Sequence, residues 1–287
     1  MLFLLTTATV NADVLKLRFT FADTPHKVAD TDSVVRKRSL IIGANYGSDV
    51  MFFGRTGPIK YPYGSTDAIY NTKDGFFLYG SALKVLGYGQ LYDEIDAGAG
   101  YLYKYTKDFG GSASFTHFFF NSNAHIIMSA SSNDVNWNNA YDWGIMKSGV
   151  TLDYLFGKSH DYFVTLNTSH HFETNFNIFD DKDYLTFTPG VSLILGTQNF
   201  VQRYSLDYAY RQDANNIFAN TPDEQHTAQL NGMFNALNYS FKVPIAYNRP
   251  HYTIEFAYKY SIPVNVEGEL MNTKESFYNL TFYYVFY

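Results

Sequence analysis

The chain has no cysteine, which fits a compartment outside the reducing cytosol but weighs little, because many cytosolic proteins also lack disulfides. It has no stretch of eighteen or more apolar residues, and that excludes a membrane-spanning helix. Charged residues make up 17% of it, below the quarter usual for soluble domains. Nor is there a basic excess: the formal net charge is -6 and the pI is near 5.7, so no electrostatic footprint for nucleic acid exists. Neither DNA nor RNA is expected as a partner. A nucleophile elbow, a P-loop, a zinc motif and a dinucleotide fingerprint are all missing, and no cofactor is expected.

Aromatic residues are abundant instead. The chain carries 26 Tyr and 26 Phe but only 2 Trp among 287 residues, yet its mean hydropathy is -0.21. A transmembrane β-barrel reconciles the two, because one side of each strand meets lipid while the other stays polar. Period-two alternation supports this. In 92–105, Ile95, Ala97, Ala99, Tyr101, Tyr103 and Tyr105 alternate with Glu94, Asp96, Gly98, Gly100 and Lys104. In 200–211, Phe200, Tyr204, Leu206, Tyr208 and Tyr210 oppose Arg203, Asp207 and Arg211. In 251–262, Tyr252, Ile254, Phe256, Tyr258, Tyr260 and Ile262 oppose Thr253, Glu255, Lys259 and Ser261. No helical stripe sorts charge this way.

The last strand, 275–287, places Phe277, Tyr283, Val285 and Tyr287 on alternate positions. This ending, with the alternation after Arg38, resembles the terminal aromatic signature of Gram-negative outer-membrane β-barrel proteins. The resemblance is to the class alone and implies a location in the bacterial outer membrane, among its lipids. The opposite face of that strand, Tyr278, Leu280, Phe282, Tyr284 and Phe286, is equally apolar, so alternation does not say which side is outward.

The expected architecture is all-β: a closed antiparallel transmembrane barrel over 38–287, with fourteen strands preferred and twelve as the alternative. The strands fall at 38–47, 64–71, 75–85, 92–105, 109–120, 124–131, 135–144, 147–156, 159–172, 182–196, 199–211, 226–243, 250–263 and 274–287. An even count returns both ends to the periplasmic side. On that count the connections at 72–74, 106–108, 157–158 and 197–198 are periplasmic, and those at 48–63, 173–181 and 212–225 extracellular. The region 121–146 is the weak point; if 124–131 and 135–144 form one excursion, twelve strands remain. Ahead of the barrel, residues 1–12 read as the remnant of an export signal cleaved after Ala12, although its basic n-region is missing. Residues 13–37 are expected to plug the lumen or cover its periplasmic mouth, burying Leu15, Leu17, Phe19 and Phe21 and setting Lys16, Arg18, Lys27, Arg36 and Lys37 against inward Glu94, Asp96, Asp153 or Asp207.

Motifs for chemistry are thin. Asp180, Asp181 and Asp183, or Asp223 and Glu224, offer oxygens to a hard cation but match no calcium loop, and a solvated surface is the plainer reading; no metal site is expected. His170 and His171 beside Ser169 resemble, in residue type, the acyl-transfer sites of membrane-embedded lipases. Adjacent residues on a strand point to opposite faces, however, which favours a polar rim. The richer signal is the inward set Glu94, Asp96, Lys104, Asp153, Arg203, Asp207, Arg211, Glu255 and Lys259, set against a lipid-facing set of Ile95, Tyr101, Tyr103, Tyr204, Leu206, Tyr252, Phe256 and Tyr258. Mixed charge suits a wet passage or cross-paired filling. With no loop clearly longer than sixteen residues, a narrow or plugged lumen is expected in place of a wide bore. The function expected is a narrow passive channel or transporter for small or amphipathic solutes. The alternatives are a noncatalytic barrel subunit of a larger outer-membrane complex, with outer-membrane or periplasmic protein partners, and a barrel-embedded lipid-modifying enzyme.

Overall fold

The computed structural model describes residues 38–57, 59–121, 124, 131–200, 233–266, 270 and 272–287. Within them the chain runs through β1 (Ser39–Gly47), β2 (Tyr63–Asn71), β3 (Phe76–Val85), β4 (Glu94–Lys104), β5 (Phe109–Phe120), β6 (Ser131–Asp142), β7 (Lys147–Gly157), β8 (His160–Ser169), β9 (Phe172–Glu173), β10 (Tyr184–Phe187), β11 (Gly190–Gly196), β12 (Asn235–Asn248), β13 (Tyr252–Pro263) and β14 (Glu275–Phe286). Each strand from β1 to β8 pairs antiparallel with the next, β8 pairs with β11, β11 with β12, and β12 to β14 follow in order. Pairing of β14 with β1, with Phe282 opposite Ala44, closes the ring. The wall therefore has twelve strands, and no edge is left open in it.

The two short strands β9 and β10 lie outside the ring. They continue the β8 and β11 hairpin: Phe187 pairs with Phe172, and Leu185 pairs with Tyr247 further along β12. Pro189 interrupts the edge between β10 and β11, where it has no N–H to give the ladder.

Twelve strands replace the preferred fourteen. Of the expected strand at 124–131, residues 125–130 lie outside the described residues, Ser131 opens β6, and β5 pairs directly with β6, which leaves no place in the wall between them. The expected strand at 199–211 falls from 201 onward outside the described residues, and β11 is bonded directly to β12. Alternation marks a segment with two unlike sides; it does not supply the neighbour that makes it a wall strand. The first surplus strand reversed every direction after it until the second reversed it back. As a result 157–158 and 197–198 lie at the end of the barrel opposite to where β1 begins and β14 finishes, and 173–181 lies at that terminal end. The proposed signal at 1–12 and plug at 13–37 lie outside the described residues.

Alternation is regular in the wall. On β1, Leu40, Ile42 and Tyr46 are exposed and Ile41 and Asn45 buried; on β14 the exposed side is Tyr278, Leu280, Phe282 and Phe286, and the buried side Phe277, Asn279, Thr281 and Tyr283. The inner face is layered. Ile41, Ile69, Phe77, Leu102 and Tyr283 cluster at the terminal end. Val50, Tyr63, Leu83, Val85 and Ala124 form one apolar cluster at the other, loop end, and Phe52, Phe53, Leu155, Phe163, Ile194, Phe200, Leu237 and Leu270 form a second. Between the ends the buried inner residues are polar, including Asn45, Asp67, Asp96, Thr116, Asn136, Thr151, Thr165, Ser240, Lys259 and Thr281.

Candidate functional site

The connection from β1 to β2 turns into the barrel. Asp49 holds its base: Oδ1 accepts the backbone N–H of Val50 at 2.9 Å and of Tyr61 at 2.8 Å. Burial is the main cause that pushes its carboxyl up to about 6, the nearby Glu275 adding to it, against those two hydrogen bonds and Lys60. At the tip, Phe52 and Arg55 exchange backbone bonds of 2.7 and 2.8 Å around Phe53 and Gly54, whose φ values are 42° and 80°. Two positive φ values define a type I′ turn. Glycine is required at 54 for a second reason, since a Cβ there would come within 2.4 Å of Asn238 Cβ.

A phenylalanine at positive φ is strained by roughly 1–3 kcal/mol. Contacts offset this. The Phe53 ring stacks on Phe163 of β8 with centroids 3.6 Å apart, and Phe52 meets Phe200 edge-on at 4.8 Å. Burial of two phenylalanines contributes about 1.5–3 kcal/mol each. Arg55 is fully buried and donates to Gln198 Oε1 from Nε at 3.0 Å and Nη2 at 2.7 Å, to Leu237 O at 2.7 Å, and to the carbonyls of Val264 at 2.8 Å and Asn265 at 3.1 Å. Gln198 is itself placed by Asp161 of β8, which accepts from Thr197 and the Asn199 backbone at 2.8 Å each. A bulge in β12 against Ile194 and Leu195 buries both Leu237 and Asn238, as bulges re-aim side chains. The β1–β2 loop is thus fastened inside the loop end to two separate connections and to the wall strands β8 and β12.

Below the loop stand the inward charges. Asp96, Asp153, Glu255 and Lys259 are buried, and Glu94 and Lys104 share the Asp96 face at the two ends of β4. Lys242 reaches Glu255 at 3.7 Å, Asn136 donates to Asp153 at 2.5 Å, and the Lys259 ammonium lies 3.3 Å from Met51 of the loop. Arg203, Asp207 and Arg211, with Tyr204 and Leu206 of the lipid-facing set, lie outside the described residues. Tyr101 and Phe256 are 40% and 46% exposed on the outer face, and Ile95, Tyr103, Tyr252 and Tyr258 stand on that same side of β4 and β13.

Sequence reasoning missed Asp67, Asp134, Lys242 and Arg55. The first was within reach, since Tyr63, Ser65, Asp67 and Ile69 alternate on β2. Arg55 was not, because a loop's inward fold has no periodicity. The acidic run at 180–183 is engaged locally: Asp183 accepts from the backbone of Ile178 and Phe179 at 2.7 and 2.9 Å, and Asp180 pairs with Arg249. His170 is bonded to the carbonyl of Ile145 and His171 to Thr188 at 3.0 Å. Among the described residues no group of three or more His, Cys, Asp or Glu is placed to hold a metal ion.

No family model and no curated protein matches the chain. Among solved structures it is similar in fold to the KdgM porin, at 11% identity over 86% of this chain and 99% of that one with a TM-score of 0.49. It is also similar to an outer membrane channel from Pseudomonas putida F1, at 12% identity over 91% and 100% with a TM-score of 0.41, and to LpxR from Salmonella typhimurium, at 9% over 86% and 99% with a TM-score of 0.40. At these identities the likeness concerns the fold alone. The chain's own geometry, a closed even-stranded ring with an apolar, aromatic outside and a polar inside, is that of the proteins that span the bacterial outer membrane, and that is where it resides.

Proposed function

We propose that the chain is a passive channel for small solutes that the β1–β2 loop holds shut from the loop end. The observation that carries this reading is that the plug is a loop with its own separable anchors, standing over a polar inner wall. Polar and charged groups in a barrel's middle are costly to bury, and they serve a purpose where water and solute pass. Tight turns at 72–75, 105–108, 143–146 and 249–251 stand at the terminal end, beside the longer excursion that carries β9 and β10, while the β1–β2 and β3–β4 connections and a short turn at 158–159 stand at the other. The four tight turns favour a periplasmic terminal end and an extracellular loop end.

The test removes the anchors and leaves the wall intact. Phe52→Ser with Arg55→Ser, refolded and reconstituted in planar bilayers, is expected to conduct in long openings where the wild type is mostly silent. If the folded variant stays as silent as the wild type, with no solute flux into vesicles, the reading is wrong and a noncatalytic subunit of an outer-membrane assembly takes its place. Stable partners co-purifying with the wild type would then be expected.

A further inference from the structure

Resting on that channel reading, we propose that the inner wall from β2 to β4 binds small monovalent cations such as potassium and makes the passage select them. Asp67, Ser81 and Asp96 are successive cross-strand partners on β2, β3 and β4, so one row of the wall brings two carboxylates and a hydroxyl to the lumen side. Asp67 is only 8% exposed, yet neither of its carboxylate oxygens has a hydrogen-bond partner. Asp96 accepts from Ser81 Oγ at 2.7 Å through Oδ2 and is hydrogen-bonded to the Glu94 side chain on the same face, while its Oδ1 is buried without a partner. Two further oxygens on the same stretch, Ser65 Oγ and Tyr79 Oη, are also buried without a hydrogen-bond partner. Glycine at 43 keeps the space over β1 for the first carboxylate, since a Cβ there would come within 2.4 Å of Asp67 Oδ1.

A buried carboxylate without a donor needs a counter-charge. Among the described residues of β2 to β4, the one cation on the inner face is Lys104, which ends β4 at the terminal mouth. The inward lysines Lys242 and Lys259 stand on β12 and β13, with β14 and β1 between them and β2. A mobile cation in the lumen fills the role. A divalent ion such as calcium would require six or more converging oxygens, whereas neighbouring strands ~4.8 Å apart offer theirs singly. A loosely held monovalent ion is what such a wall takes, and its field also raises the local cation concentration.

Two measurements test this. With the Phe52→Ser/Arg55→Ser barrel in a KCl gradient, the reversal potential should report a preference for potassium over chloride on the order of tenfold, and adding Asp67→Asn with Asp96→Asn should bring the ratio close to one. Chloride preference, or a preference that the pair leaves unmoved, overturns the proposal. The second measurement needs no conduction: wild-type protein in detergent micelles should melt at higher temperature in KCl than in N-methylglucamine chloride of equal ionic strength, by mass action, and Asp67→Asn should lose the difference. Equal melting in the two salts overturns the site. A potassium-dependent melt in a barrel that never conducts keeps the cation site and sinks the channel.

Discussion

At the scale of single residues, two side chains have measurable consequences. The Asp49 carboxyl titrates near 6 in the folded protein against an ordinary value of 3.8. The folded state therefore holds the proton more tightly than the unfolded one, and stability falls as pH rises between about 4 and 6, then levels off. Asp49→Asn keeps an oxygen for the Val50 and Tyr61 N–H groups while removing the charge. It is expected to stabilise the docked loop at pH 7 by on the order of 1–3 kcal/mol and to flatten that pH dependence. Hydrogen exchange of loop amides at pH 4.5 and 7 measures both, and an unchanged slope in the variant would show that the acid-sensitive group lies elsewhere. On the outer wall, Phe256 stands between Ile245 and Leu280 on neighbouring strands, all three exposed. Phe256→Arg is expected to cost about 2–4 kcal/mol near the bilayer midplane, read from unfolding titrations in lipid vesicles, while an effect near zero would mean that this face meets something other than lipid.

At the scale of elements, the ring and its appendages separate cleanly. β9 and β10 pair with one another and with the far end of β12 but close no part of the wall. Replacing 172–187 by a short turn is expected to leave a barrel that folds and migrates as a compact band in unheated gels, whereas loss of folding would make that hairpin part of the closure. Twelve of the fourteen strands read from the sequence correspond to wall strands, because wherever one face meets lipid and the other the interior, the period of two is written into the residues. Of the two surplus strands, 124–131 stood in the weak region 121–146, while 199–211 had the same local pattern, and its Phe200 is in fact buried against Phe52 and Phe163. Pairing partners decide wall membership, and partners are long-range. The buried acids Asp96, Asp153 and Glu255 stand on the face that the same period sets opposite the exposed aromatics. The loop was not legible, since the turn at Phe53 and the grip on Arg55 depend on groups far apart in the chain.

At the scale of the whole molecule, the interior is a stack: apolar at the terminal end, polar through the middle, apolar again at the loop end where Phe52, Phe53 and Val50 descend. Only the upper apolar layer contains a connection as well as the wall, so it alone can leave without breaking a strand ladder. The guanidinium of Arg55 fastens that layer to Gln198 of one connection, Val264 and Asn265 of another, and Leu237 of the wall. The connections that carry Gln198 and Val264 are consequently tied to the β1–β2 loop through one side chain. If the loop opens as proposed, a molecule that grips Val264 and Asn265 more firmly in the shut state resists opening by the free energy of that difference, and opening weakens its grip by the same factor. A single side chain in the lumen would thereby give the outer surface of this barrel a thermodynamic hold on its interior.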